Sequence, residues 1–270
     1  MLNEAQRDQF KEDGYVIIPG INESIYDEVK ASAERATSRA RAGQWPHVRM
    51  VDSAGPLDIW GVSNLLHPDL GEPAFADYLA TDEVLKTAGA LLPGPLRLSL
   101  TNMLVNPVLR DHATNWHRDT DQLDISGEAE LALLRKNLNH TQWNAAIYAE
   151  SCLRVVPGSH ARNMTDTERN NLVNHPFDPM PGELRVHLQE GETVYYNAFL
   201  LHKGDYSIDQ RRLTLHAALV LSEPGDAFGL HYDAVAFMEA PDFRDSLPAA
   251  LHPLLDQWLA FAERVKASRA

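Results

Sequence analysis

Between residues 96 and 221 the chain breaks into short apolar runs, at 96–105, 142–148, 153–156, 182–188, 192–201 and 212–221, with Gly, Pro, Asn or Asp in most of the gaps. Runs of this length, closed by turn-forming residues, read as β-strands. A succession of them without alternating helices points away from a parallel α/β sheet and towards a β-sandwich or barrel with helices packed outside. Helical signals lie before and after this block. Residues 3–13 form a helix opened by Asn3 and closed by Asp13-Gly14, and Tyr15 to Ile18 form a strand stopped by Pro19-Gly20. Residues 22–41 and 74–91 read as helices, the second ended by Pro93-Gly94-Pro95, and 247–268 as an amphipathic helix with Leu251, Leu254, Leu255, Trp258, Leu259, Phe261 and Ala262 on its apolar side. The stretch 43–75, with scattered Gly and Pro, Trp45, Trp60 and several histidines, reads as a long connection near a site mouth. The expectation is a mainly β protein with flanking helices in a single domain over 1–270: a helical portion at 1–95, a β core at 96–221 and a terminal helix at 247–268.

Composition narrows the function. A net charge of −14 argues against a nucleic-acid partner, which needs a basic footprint to meet phosphate. With one cysteine, an intramolecular disulfide and multi-cysteine zinc sites are excluded, and Cys152, in an apolar stretch, reads as a buried small hydrophobe. No run approaches the roughly 18 apolar residues of a membrane span, and the first residues carry neither a basic nor an apolar targeting region. The expected location is cytoplasmic.

The segment Trp116-His117-Arg118-Asp119 carries the sharpest chemical signal. In extended chain, residues two apart point to one side, so His117 and Asp119 offer an imidazole nitrogen and a carboxylate oxygen to one ion. A histidine from another strand would complete a 2-His-1-carboxylate triad with one face open, the arrangement diagnostic of non-haem Fe(II) oxygenases. The apolar run 191–196 leads to Leu200-Leu201-His202-Lys203-Gly204, and about ten residues later comes Arg211-Arg212-Leu213-Thr214-Leu215-His216. An arginine on a strand beside the metal suits a dicarboxylate cosubstrate, whose distal carboxylate meets the guanidinium fork. Alternation places Arg212, Thr214 and His216 on the polar face and Arg211 with Leu213 and Leu215, which favours Arg212 over Arg211.

These pieces, in this order, resemble the phytanoyl-CoA dioxygenase family of Fe(II)/2-oxoglutarate oxygenases. LNEAQRDQFKEDGYVIIPG is similar to its opening helix and strand, WHRD to its iron motif, SCLRVVPGSH at 151–160 to a further segment, and GETVYYNAFLLHKG to the segment with the distal histidine. The resemblance covers most of 2–221. It implies a double-stranded β-helix (a jelly-roll, cupin-like core), iron ligands His117, Asp119 and His202, 2-oxoglutarate as cosubstrate with dioxygen, Trp143 bordering the 2-oxoglutarate and Arg212 on its distal carboxylate. The chain departs from the family at Asn106-Pro107, where relatives often carry lysine, and at Gly204, where they often carry serine. Asn102 and Asn106 are then candidate hydrogen-bond donors to the cosubstrate. Asp119, where halogenating variants have a small residue, speaks against halogenation.

The remaining candidates divide by position. His160 is expected to hold a turn and His216 to support the site on the cavity face, while His47, His67 and His112 fall in loops. Tyr196, an even number of residues before His202, and Trp60 are substrate-pocket candidates. Substrate identity is expected to reside in the loops 43–75, 106–116, 121–140 and 161–180. The resulting expectation is hydroxylation of a C–H bond in a small molecule by a monomer or homodimer. Its alternatives are a cupin-like metalloenzyme that does not use 2-oxoglutarate and a non-catalytic binding module on the same fold.

Overall fold

The short runs pair as antiparallel strands in two sheets. Numbered in chain order, the larger sheet runs β1 (Tyr15–Ile18), β9 (Thr193–Asn197), β6 (His140–Ala146), β11 (Leu213–Leu221), β4 (Leu96–Val105), β3 (Ile59–Val62), β2 (Val48–Met50). The smaller runs β5 (His112–Ala113), β10 (His202–Tyr206), β7 (Leu153–Val155), β8 (Leu184–Arg185). This computed structural model describes residues 2–19, 23–92, 94–120, 124–135, 140–222 and 233–269. A cavity lies between the sheets, lined by β6, β9 and β11 from one and by β10 and β7 from the other. The architecture is the jelly-roll, or double-stranded β-helix, with helices outside.

The two faces of the larger sheet differ as period-two alternation requires. On β11, Leu213, Leu215, Ala217 and Leu219 belong to the main hydrophobic core, while Arg212, just before the strand, and His216 line the cavity. The core is closed by helices on the outer face. Helix α2 (Glu23–Arg41) buries Val29, Ala33, Ala36 and Ala40, spaced three and four apart, and these small side chains let it lie close to the sheet. The last helix, α7 (His252–Arg269), buries Leu254, Leu255, Trp258, Phe261 and Ala262 and packs on β4. Fully burying aromatics such as Trp258 is worth several kcal/mol each, roughly 3–5 on truncation to alanine.

Several boundaries differ from expectation. Residues 43–75 contain β2 and β3, which pair and extend the larger sheet; strands of three and four residues are too short to show alternation. The helix expected at 74–91 is two, α3 (Ala74–Leu79) and α4 (Asp82–Leu91), because the Thr81 hydroxyl accepts from Val84 N–H and starts a new N-terminus. The loops 121–140 and 161–180 hold α5 (Gly127–Arg135) and α6 (Asp166–Asn174), the latter opened by a Thr165/Glu168 capping box that was legible in the sequence. The run 182–188 forms strand only at 184–185, and the run 192–201 ends as strand at Asn197. A turn follows, and His202 heads its own strand, β10. Residues 20 and 22 and Pro93, together with 121–123 and 136–139 of the expected loop, lie outside the described residues.

The opening helix, α1 (Glu4–Asp13), is capped as expected, with Asn3 and Gln6 exchanging side-chain and backbone hydrogen bonds. It ends at Gly14, whose φ of 82° is left-handed, and a Cβ there would lie 2.5 Å from His160 Nδ1 and 2.8 Å from Leu200 Cδ1. Backbone strain and overpacking act together at this residue. We predict that Gly14→Ala destabilises the protein by roughly 1–3 kcal/mol in urea unfolding, whereas Gly182→Ala, also left-handed but with open space around it, is affected less.

Candidate metal centre

The segment bearing the HxD motif is joined to the segment 198–202 by backbone hydrogen bonds. His117 and His202 exchange both, N–H to carbonyl at 3.0 Å each way, and Asp119 N–H donates to Ala198 O at 2.9 Å. These contacts bring one ligand atom from each of His117, Asp119 and His202 to within 4.8 Å of one another. His117 Nε2 is 3.6 Å from Asp119 Oδ1, and His202 Nε2 is 3.9 Å from Asp119 Oδ2.

The tautomers are set by the same turns. His117 Nδ1 is 2.7 Å from Asn115 O and His202 Nδ1 is 2.8 Å from Leu200 O, so each Nδ1–H donates to a carbonyl and each Nε2 presents its lone pair. Burial, with the neighbouring His117, lowers the His202 pKa to about 4, which keeps that imidazole neutral and able to ligate at pH 7. Gln142 Nε2 donates to Asp119 Oδ2 at 2.7 Å and fixes the carboxylate.

Arg118, between His117 and Asp119, sends its guanidinium away from the triad. Its buried guanidinium pairs with Glu130 and donates to the carbonyls of Ser159 and Arg162. Glu130 is held in turn by Arg169. The HxD segment is thereby tied to α5 through a buried ion pair and to the 151–160 segment through the Ser159 carbonyl, and removing one member of such a pair typically costs about 3–5 kcal/mol.

The triad opens onto a cavity of about 420 Å³ that also reaches Arg212. Arg212 is 2% exposed, and its Nη2 lies 3.3 Å from Glu150 Oε1 and its Nε 3.4 Å from Thr214 Oγ1. Its Nη1 is buried with no hydrogen-bond partner. Burial, the largest influence, would lower the Arg212 pKa, but Glu150, Cys152 and Tyr206 together outweigh it and the net direction is upward, so the guanidinium stays charged. A charged, buried donor aimed into a cavity fits a carboxylate. Arg211 instead lies at the surface, paired with Glu34 and stacked on Tyr148, so of the two arginines Arg212 faces the cavity.

Gly204 has its own local reason. A Cβ there would lie 2.6 Å from the Tyr206 ring, which covers the glycine and takes the Arg212 guanidinium on its face at 4.7 Å. The serine frequent in the resembled family has no room beside this tyrosine.

Tyr196, Trp60 and His216 line the cavity with the triad and Arg212. Tyr196 packs edge-on against His202 at 5.2 Å between centroids. His216 Nδ1 is 2.9 Å from Asn144 Oδ1, and burial, with Arg49 nearby, lowers its pKa to about 3, leaving it neutral with Nε2 as an acceptor. Three expected cosubstrate contacts are placed elsewhere. Trp143 is on the core face of β6, stacked on Tyr195 with its indole N–H donating to the Tyr78 hydroxyl, because alternation puts Gln142 and Asn144 on the cavity face instead. Asn106 accepts from Arg212 N–H at 3.1 Å and so holds backbone. Asn102 accepts from Asn64 N–H and does not line the cavity, although its Nδ2 is buried without a partner.

His160 donates from Nε2 to Lys11 O and ties the 151–160 segment to α1, remote from the triad. His47 and His67 cluster with Trp45, and His112 stacks on Trp60. Cys152 is buried, which pushes its thiol pKa up to about 12. Sequence reasoning missed Gln142, Asn144, Tyr206 and Arg49 as cavity residues. The first two were detectable as polar residues alternating along an otherwise apolar strand; Arg49, in a three-residue strand, left no periodic signal.

Neither a family model nor a curated protein matches the sequence. Solved structures do share its fold. AviO1 from Streptomyces viridochromogenes Tue57 is 19% identical, with a TM-score of 0.62 over 83% of this chain and 97% of that one. EctD from S. alaskensis, solved with 2-oxoglutarate and 5-hydroxyectoine, is 14% identical, with a TM-score of 0.63 over 82% and 77%. The epimerase SnoN, solved with Fe3+, alpha ketoglutarate and nogalamycin RO, is 20% identical, with a TM-score of 0.57 over 83% and 88%. At these identities the likeness establishes the jelly-roll fold.

The Gln142 contact leads to a test. Gln142→Leu is expected to weaken Mn(II) or Fe(II) binding by roughly 10- to 100-fold, as measured by anaerobic calorimetric titration, by removing the hydrogen bond to Asp119 Oδ2. Unchanged affinity would show that Gln142 does not orient the ligand.

Proposed function

We propose that this chain is an Fe(II)- and 2-oxoglutarate-dependent oxygenase, acting as one domain, that oxidises a C–H bond of a small organic substrate, with hydroxylation as the outcome. The observation that carries this reading is the pairing, in one cavity, of a His-Asp-His triad with an open face and a buried arginine that keeps an unpartnered Nη1. The donor set fits Fe(II): two imidazoles that present Nε2 and one carboxylate, grouped on one side of a cavity. The neighbouring folds that bind iron and 2-oxoglutarate support the same assignment. When bound, iron(II) chelated by 2-oxoglutarate supplies the oxidation, with dioxygen consumed and succinate and carbon dioxide released.

The chain's own residues have separable tasks. His117, Asp119 and His202 would hold the metal, and Gln142 would orient the carboxylate. Arg212, stiffened by Glu150 and Tyr206, would take the distal carboxylate of 2-oxoglutarate on Nη1, with the Thr214 hydroxyl beside it. Tyr196 and His216 would line the space in which the substrate is oriented. Because His216 is neutral and its Nδ1 is occupied by Asn144, Nε2 is available to accept a substrate hydroxyl or amide N–H.

Succinate release in the presence of Fe(II), 2-oxoglutarate and dioxygen tests the proposal. Wild type is expected to show slow release without substrate, and Arg212→Met to raise the KM for 2-oxoglutarate by about 10- to 100-fold through loss of charge-assisted hydrogen bonds. Release that is absent in wild type would sink the oxygenase reading. Full activity in Arg212→Met would point to a barrel metalloenzyme that does not use 2-oxoglutarate.

A further inference from the structure

Arg49 is a further guanidinium on the cavity wall, beside Arg212 and Arg118, and nothing in the metal or cosubstrate chemistry above uses it. It sits on β2 opposite Gly61 of β3. A Cβ on Gly61 would lie 3.0 Å from Arg49 Cδ and 3.3 Å from Cβ and Cγ, so the stem of the arginine lies flat on the bare glycine. The guanidinium rests over the Trp60 ring at 5.1 Å, and Trp60 is fixed by its indole N–H donating to Met50 O. Its position is therefore set by packing.

The other cations lining the cavity have acidic partners: Arg212 has Glu150, Arg118 has Glu130 and Lys203 has Asp205. Arg49 has no carboxylate partner among the described residues, in a chain whose acidic residues outnumber its basic ones by 38 to 24. It is also separated from Arg212 by two aromatic rings. The sequence of contacts is Arg49 over Trp60, Trp60 edge-on to Tyr206 at 5.3 Å, and Tyr206 beneath Arg212. An unpaired guanidinium held rigid in a part-enclosed cavity is a carboxylate receptor in waiting, since its planar fork matches that anion bidentately. A phosphate dianion would demand more positive charge than a single guanidinium provides.

We infer that Arg49 anchors the substrate, and that the substrate is a small monocarboxylic acid held by its carboxylate on the far side of the Trp60–Tyr206 pair from Arg212. The inference rests on the oxygenase reading for the word substrate, but the anion site stands without it. The cavity of about 420 Å³ is at the small end for ligand sites and must also admit the cosubstrate, which restricts the acid to a compact molecule. Recognition of the acid at Arg49 leaves the rest of its skeleton to lie towards the triad, past Tyr196 and His216.

The test uses matched acid and amide probes: benzoate with benzamide, hexanoate with hexanamide, and indole-3-acetate with indole-3-acetamide. Each is titrated calorimetrically into the full chain, with and without saturating Mn(II) and 2-oxoglutarate. At least one acid is expected to bind wild type more tightly than its amide by about 10- to 100-fold, with 2-oxoglutarate present. That preference should be lost in Arg49→Gln, retained in part in Arg49→Lys and retained in Arg212→Gln. Circular dichroism and melting temperature would confirm that the variants fold. No acid preference in folded wild type, or a preference that survives Arg49→Gln, would overturn the inference. A preference that depends on Arg212 and disappears when 2-oxoglutarate is added would also overturn it, by assigning the anion site to the cosubstrate arginine. Because binding is read without turnover, a protein with the Arg49 preference but no succinate release would fail the oxygenase reading alone.

Discussion

The reciprocal backbone pairing of His117 with His202 is the contact on which the site depends. It joins the segment bearing the HxD motif to the head of β10, two stretches 85 positions apart in the chain, and sets both imidazoles on one side. The two side chains need no independent positioning once the strands are paired, because the carbonyls of Asn115 and Leu200 choose the tautomers. Buried backbone groups must find partners in any case, so the geometry of the triad is a by-product of satisfying the sheet. Arg118 extends the constraint to the 151–160 segment, and His160 extends it again to the N-terminal helix.

The cavity is built by alternation. Each strand facing it gives every second side chain to the site and the rest to a packed core, so polar chemistry and hydrophobic stability occupy opposite faces of the same residues' neighbours. On β6 this means that Gln142 and Asn144 serve the cavity while Trp143 and Ala145 serve the core. On β11 it separates His216 from Leu213 and Leu215. A one-residue slip of either strand would empty the site and bury its polar groups, which explains why both strands are pinned on two sides by neighbours in register.

The legible parts of the sequence were those where a local rule has one outcome. Punctuated apolar runs gave the strands at 96–105 and 213–221, the Asn3 cap gave the first helix, and the HxD spacing with a distal histidine gave the triad. Face alternation chose Arg212 over Arg211. What was hidden depends on tertiary contact. The resemblance puts Trp143 beside the cosubstrate, whereas the pleat of β6 gives Gln142 and Asn144 to the cavity and the indole to the core. The strands β2 and β3 are too short to have a period, and with them Arg49 was invisible. Gly204 reads as a departure until Tyr206 is seen lying on it.

The central claim is that His117, Asp119 and His202 hold iron with one face left for 2-oxoglutarate, and anaerobic reconstitution tests it most directly. Adding Fe(II) and 2-oxoglutarate to the protein under argon should produce a weak visible charge-transfer band from the chelated cosubstrate. The account predicts the band in wild type and in His160→Ala, and its loss in a folded His202→Ala. A folded wild-type protein that binds Fe(II) and 2-oxoglutarate without the band, or a band that persists in His202→Ala, would contradict it.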